Sequence, residues 1–189
     1  MSDFFRKFPL VTYNNVRVRD MTRRVAIIKN TLNDPLLNLP YTIREGEKPE
    51  DVAFGYYGSV DFTWLVLLSN GMMDPYTDWP MDTDLFHRYF IDKYTEVSGE
   101  TDWDVIAWGQ NQEINENLVF YYKEDDYGKI IQIGPESYGA VLDAQQAGWQ
   151  PMRIYDYEHD LNEAKRNIQL VDTVYKDRID GEFRKLIVK

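Results

Sequence analysis

Residues Tyr41 to Pro80 read YTIREGEKPEDVAFGYYGSVDFTWLVLLSNGMMDPYTDWP, and their pattern decides how the rest of the chain is organised. Tyr41-Thr42-Ile43 is a short run with strand character, and Glu45-Gly46 turns it. Pro49 suits the first turn of a helix, where its missing N–H costs nothing. Glu50 and Asp51 beside it favour the positive end of that helix. Val52, Ala53, Tyr56 and Tyr57 fall on one face by i, i+3 and i+4 spacing, and Gly58 closes the helix by taking a left-handed conformation. Ser59 or Asp61 caps a second helix that buries Trp64, Leu65 and Leu68, and Asn70-Gly71 stops it. After that comes a turn-rich aromatic loop, Met72 to Pro80, rather than a second strand.

The flanks are read outward from this centre. Residues 1–40 form an arm rather than a compact unit. Phe4, Phe5, Phe8 and Pro9 make an aromatic opening, Val11-Thr12-Tyr13 is extended, and Asn14-Asn15 turns. Val16-Arg17-Val18-Arg19 alternates as a half-buried strand should. Met21 to Leu32 carries helical spacing, and Asn33-Asp34-Pro35 ends it. The arginines at 17, 19, 23 and 24 make either a solvated basic face or a docking patch for an acidic partner or another copy of the chain.

Beyond Pro80, Asp84 to Lys93 has the spacing of a helix, with Leu85, Phe86, Tyr89 and Phe90 as its apolar side. From residue 96 to 157 the character turns towards β. Val105 to Trp108 and Leu118 to Tyr122 look like strands, and Lys129 to Ile133 returns on the latter as a hairpin across Lys123–Gly128. Pro135 to Gly148 is loop-rich with a helical stretch at 140–147, and Trp149 to Tyr157 reads as extended. Val174 to Ile187 is a terminal helix with Ile179, Phe183, Leu186 and Ile187 on one side.

With 32 acidic against 21 basic residues among 189, the net charge is −11, which repels a polyanion and argues against nucleic-acid binding. The absence of cysteine excludes disulfides, thiolate metal sites and a cysteine nucleophile. The first residues lack the pattern of a signal peptide, and the longest nearly apolar run, Phe62 to Leu68, is far too short to cross a bilayer, so a soluble protein is expected. The 14 Tyr and 5 Trp lean towards a binding or assembly role, since both combine an apolar body with a polar tip.

Catalytic motifs are missing: no G-x-G-x-x-G, Walker loop, G-x-S-x-G or H-E-x-x-H occurs. His87 and His159 belong to no Ser/His/Asp arrangement and read as structural or surface histidines. Glu124-Asp125-Asp126 lacks the alternating spacing of a calcium loop and reads as a solvated turn. Glu47, Glu50 and Asp51 are the first carboxylates to consider for glycosidase chemistry, but nothing positions them across a cleft.

The YTI–YYG–NG pattern resembles a LysM module, a small β-α-α-β unit. Its continuation, NG-x-x-DP-x-x-DWP, together with Glu-x-x-Leu-Asn-Glu-x-Lys-Arg-x-Ile from Glu158, resembles the LysM-like baseplate wedge subunits of contractile-tailed bacteriophages. The resemblance implies an α+β protein: a small LysM-like β-α-α core with an added helix, a β-hairpin-rich region, and extended N- and C-terminal arms. The implied segments are 1–40 (arm), 41–95 (LysM-like domain plus helix), 96–157 (β-rich region) and 158–189 (arm with terminal helix). It also implies a structural component of the tail baseplate wedge, located in the virion and in the host cytoplasm during assembly. That component binds neighbouring wedge proteins, and the hub or sheath-proximal proteins, and joins wedges around the hub without catalysis, cofactor or membrane. The residues assigned to partner binding are Tyr56, Tyr57, Tyr76, Trp79, Arg17 and Arg19. The alternative is a peptidoglycan-binding LysM module of a lysis or tail-tip apparatus, its sugar stacked on Tyr57, Trp64 or Trp79.

Overall fold

Strand Asn38–Thr42, labelled β3 after the N-terminal strands β1 (Leu10–Tyr13) and β2 (Val16–Arg19), begins the central unit of the computed structural model. The structure describes residues 6–22, 37–141 and 147–188. The expected helix from Met21 to Leu32, with Arg23 and Arg24, lies largely outside these residues, as do Phe4, Phe5 and most of the expected helical stretch at 140–147. The fold is α+β. It comprises two compact units, residues 1–80 joined by 165–189, and residues 81–164. These boundaries replace the four-part division expected from sequence, because the chain leaves the first unit after Pro80 and returns to it at Lys165.

In the first unit, β3 leads to α1 (Pro49–Tyr57), a single turn of 3₁₀ helix at Val60–Phe62, and α2 (Thr63–Ser69). Pro49 opens α1 and the Asp51 carboxylate accepts the Lys48 N–H at 3.1 Å, so two of the signals read from sequence act at this end. Gly58 closes α1 at φ 78°, its N–H donating to the Phe54 carbonyl at 3.0 Å. Ser59 accepts the Asp61 N–H at 3.2 Å and starts the 3₁₀ turn.

The sequence reading finds no second strand after Asn70-Gly71, and the structure corrects it. The partner of β3 is β7 (Asn167–Val171), antiparallel, with Asn38 opposite Val171 and Thr42 opposite Asn167. Its separation in sequence is what hides it. Asn70 then does more than end α2. Its side-chain amide donates to the Gln169 carbonyl at 2.8 Å and accepts the Gln169 N–H at 2.8 Å, as a neighbouring strand residue would. The same Nδ2 reaches the Val66 carbonyl at 2.8 Å.

The C-terminal residues are not an arm but part of this core. After β7 a 3₁₀ turn at Thr173–Tyr175 leads to the terminal helix Lys176–Val188, whose Phe183 stacks on Trp64 with ring centroids 4.3 Å apart. Phe183 and Ile187 are buried together with Ile43, Val52, Leu65, Trp79, Ile168 and Leu170, whereas Leu186 is exposed. The N-terminal segment is pinned to the same unit by buried Phe8 and by the Lys7–Asp180 ion pair at 2.6 Å. Burial raises the Asp180 carboxyl, and hydrogen bonds and charge from Lys7 and Arg184 outweigh it, leaving it below the ordinary value.

The second unit begins with a long helix, Thr83–Ser98, and continues with Trp103–Gln110. Asp82 caps the first through the Leu85 N–H at 2.8 Å, and Phe86, Phe90 and Tyr94 recur every four residues on its buried side. The expected strand at Val105–Trp108 is a helix. A short apolar run does not itself distinguish the two states, and tertiary packing decides here. Gly109 lets this helix approach closely: a Cβ there would lie 2.5 Å from the Phe90 ring.

The hairpin forms as read, from β4 (Leu118–Glu124) and β5 (Ile130–Ile133), and β6 (Gln150–Arg153) pairs on the other side of β4. The extended stretch expected at 149–157 is strand only as far as Arg153, after which a helix runs from Ile154 to Ala164. Arg153 is buried and donates to the carbonyls of Ile114 and Gln112 and to the Asn117 side-chain oxygen, fixing the segment between helix and sheet. Glu158 is buried too. Its carboxylate accepts Lys93 Nζ at 2.8 Å, the Tyr94 hydroxyl at 2.7 Å and the Tyr89 hydroxyl at 3.2 Å. Burial pushes this carboxyl up, but the hydrogen bonds from Lys93 and Tyr94 and the Lys93 charge pull it down further. Burial and the same carboxylate push the Tyr94 hydroxyl up to about 12.

Two consequences are measurable. Asn70→Leu strips the Gln169 backbone of its side-chain partner and is expected to lower unfolding free energy by about 1–3 kcal/mol, read from urea denaturation. Because the folded Glu158 titrates below its unfolded value, its contribution is present above the unfolded pKa and is lost as pH falls through the folded one. Glu158→Gln is therefore expected to be less stable at neutral pH and to lose less on acidification than the wild type, read from urea midpoints at a series of pH values.

Candidate functional site

Met72 to Pro80 leaves the first unit's core as a turn whose every bend has a chemical cause. Asp74 accepts the Tyr76 N–H at 3.0 Å and Pro75 follows as the first residue of the short helix Pro75–Asp78. The Asp78 carboxylate folds back to accept the N–H groups of Met73 at 2.8 Å and Asp74 at 3.0 Å. The backbone hydrogen bond from Asp74 first, and that from Met73 second, hold Asp78 below the ordinary carboxylate range. Lys165 Nζ donates to the Thr77 carbonyl at 2.7 Å. Trp79 inserts its ring in the core and donates its indole N–H to the Glu47 carbonyl at 2.8 Å. Glu47 is itself held, accepting the Tyr41 hydroxyl at 2.8 Å and the Arg44 N–H at 2.9 Å.

The result is a fixed turn that displays two large side chains, Met73 and Tyr76, each 92% exposed. Such residues on a rigid frame form contacts at little conformational cost.

The structure separates the six residues assigned to partner binding. Tyr76 and Arg17 are on the surface. Arg19 is exposed along its length while donating through Nη1 to the Phe8 carbonyl at 2.6 Å. Tyr56 is half-buried, edge-on to Tyr57 at 4.8 Å, and burial with the charge of Asp172 raises its hydroxyl. Tyr57 and Trp79 are core side chains at 4% and 7% exposure, so neither is presented to a partner. Burial above all raises the Tyr57 hydroxyl, which donates to the Val171 carbonyl at 3.0 Å and so ties α1 to β7.

The same burial bears on sugar stacking, since Tyr57, Trp64 and Trp79 are all in the core. Two exposed features escaped the sequence reading: Met73, and the side chains of the β1–β2 hairpin, whose eight positions are all exposed rather than half-buried. The alternation in Val16–Arg19 carried that signal, but the hairpin faces solvent where a core was assumed.

The groups considered for chemistry are otherwise engaged. His87 lies 3.0 Å from the Tyr155 hydroxyl and edge-on to Trp103, and His159 stacks over Tyr155. Asp125 accepts the N–H groups of Tyr127 and Lys129, both at 2.9 Å, and so closes the hairpin turn. Asp51 caps α1. Among the described residues no three His, Asp or Glu side chains cluster as a metal site, and no helix is long and apolar enough to cross a membrane.

Two comparisons with known proteins bear on this architecture. The chain is 32% identical over 105 residues to the baseplate wedge protein gp53 of Enterobacteria phage T4. That stretch covers 53% of each chain, about half the length of the relative. The family model described as base plate wedge protein 53 matches residues 13–187, which take in the β3–β7 strand pair, the Met72–Pro80 turn and the whole second unit. With a match of that extent, the chain belongs to the base plate wedge protein 53 family.

Proposed function

We propose that this protein is a non-catalytic structural part of the baseplate wedge that binds neighbouring wedge subunits and joins wedges into the ring around the hub. It acts within the tail baseplate of the virion and is assembled in the host cytoplasm. The observation that carries the reading is the Met73–Tyr76 display in a member of a baseplate wedge family. Two large, fully presented side chains on a hydrogen-bonded turn suit an assembly contact, where rigidity spares the ordering cost of association. Tyr56 and the arginines of β2 extend the same role to other contacts, with adjacent wedge proteins and the hub or sheath-proximal proteins as partners. An overall charge of −11 disfavours nucleic acid as one of them.

The core behind these surfaces is read as LysM-like. The supporting observation is its order, strand β3, helices α1 and α2, then strand β7 antiparallel to β3. In this reading residues 81–164 are an insertion between the second helix and the second strand. A peptidoglycan-binding role finds no comparable support, because the aromatic rings it would use are buried.

The core and surface assignments separate in one experiment. Tyr76→Ala and Met73→Ala are expected to leave the urea midpoint unchanged and to reduce incorporation into baseplates reconstituted from purified wedge proteins. Trp79→Ala is expected instead to destabilise the monomer by about 3–5 kcal/mol, as truncation of a buried tryptophan does. Normal incorporation of the doubly substituted Met73→Ala/Tyr76→Ala chain would remove the turn from the interface.

A further inference from the structure

The β1–β2 hairpin has a chemical polarity that its exposure makes unusual. Cross-strand partners project to the same face, and the register sets Val11 opposite Val18 and Tyr13 opposite Val16. One face is therefore wholly apolar, with exposures of 40%, 69%, 60% and 38% for Val11, Tyr13, Val16 and Val18. The other face carries Leu10, Thr12, Arg17 and Arg19. No acidic residue occurs between Arg6 and Arg19, although the chain has 32 of them.

The hairpin is nevertheless held firmly. Asn14 and Asn15, at φ 47° and 61°, make the tight turn that matches strand twist. At its base, Arg19 donates to the Phe8 carbonyl, the Asp20 N–H donates to the Pro9 carbonyl at 2.9 Å, and Phe8 is buried. Among the described residues β2 pairs only with β1. A two-stranded ribbon with an uncovered apolar face is marginal in water and gains most from a further strand.

Deepening the proposed wedge role, on which it rests, we infer that β2 receives a strand from another wedge protein in which apolar and acidic residues alternate. Alternation puts that strand's apolar side chains beside Val16 and Val18 and its carboxylates beside Arg17 and Arg19. Charge complementarity selects this chemistry, since the arginines reject a basic strand and the apolar face rejects a uniformly polar one. A second copy of the chain meets neither demand through the same hairpin. Face-to-face pairing offers four side chains per partner, against about 20–30 residues a side in a standard interface.

The test uses the full chain with Thr12→Cys, which introduces a single thiol into a cysteine-free sequence and carries an environment-sensitive fluorophore. Purified wedge proteins of the same phage are added one at a time. One of them is expected to give a saturable spectral shift that weakens with salt. Arg17→Glu and Val18→Lys, each in the labelled chain, are expected to weaken that binding by about tenfold or more with unchanged circular dichroism. A shift from excess unlabelled chain or from anionic vesicles instead, or from none of the wedge proteins, would overturn the inference.

Incorporation separates this failure from that of the wider role. Hairpin variants that assemble normally while Met73→Ala/Tyr76→Ala does not would discard the strand-addition site alone. Normal assembly of every variant would discard both.

Discussion

The pairing of β3 with β7 is the constraint on which the first unit depends. Each strand is short, and a two-stranded ribbon is weak by itself. What makes this one firm is the set of groups that converge on β7 from the helices. Asn70 satisfies both backbone groups of Gln169, Tyr57 donates to the Val171 carbonyl, and Ile168 and Leu170 enter the core beside Trp64 and Leu65. The terminal helix then covers Trp64 with Phe183. Remove β7 and the helices lose the partner of two buried polar groups as well as apolar area. An unsatisfied buried group costs more than the bond it made, so these contacts are more than decoration on a hydrophobic core.

Closing that ribbon joins residues more than a hundred positions apart, and the energetic consequence is milder than the distance suggests. Loop-closure entropy grows only with the logarithm of loop length, about 0.6 kcal/mol per doubling. The intervening residues are also not a free loop, since 81–164 form a compact unit with its own core around Phe86, Phe90 and Val105. A folded insertion fixes its own ends and removes much of the freedom that closure would otherwise cost. The kinetic consequence is larger, because contacts so distant in sequence slow folding even where they do not weaken the product.

Local signals explain which parts were legible in the sequence. Pro49, Asp51, Gly58 and the Asp74-Pro75 pair act within a few residues of where they stand, and each does in the structure what its chemistry predicts. The hairpin across Lys123–Gly128 was equally readable. The second strand was not, because Ile168 to Val171 acquires its meaning from β3 and from Asn70, neither of which is a neighbour in sequence. Val105–Trp108 failed for a related reason: Gly109 packed against Phe90 belongs to a helix, but the apolar run before it fits either state. In the DWP run, Tyr76 and Trp79 look alike as interface aromatics. Burial separates them, and it was set by a carbonyl at Glu47 that no local pattern points to.

That separation shows how one short motif serves both folding and display. Trp79 fastens one end of the turn in the core, and Asp78 draws its beginning back through two N–H groups. Tyr76, between them, has no inward direction left and must project. A looser turn could bury Tyr76 against its own surface and hide the contact. The carboxylate of Asp78, held below its ordinary range by those N–H groups, keeps its charge and its grip well into acid. Display in this protein is therefore a product of anchoring: the residues that reach outward are fixed by those that reach in, and weakening Trp79 would damage recognition by releasing Tyr76 rather than by removing a contact.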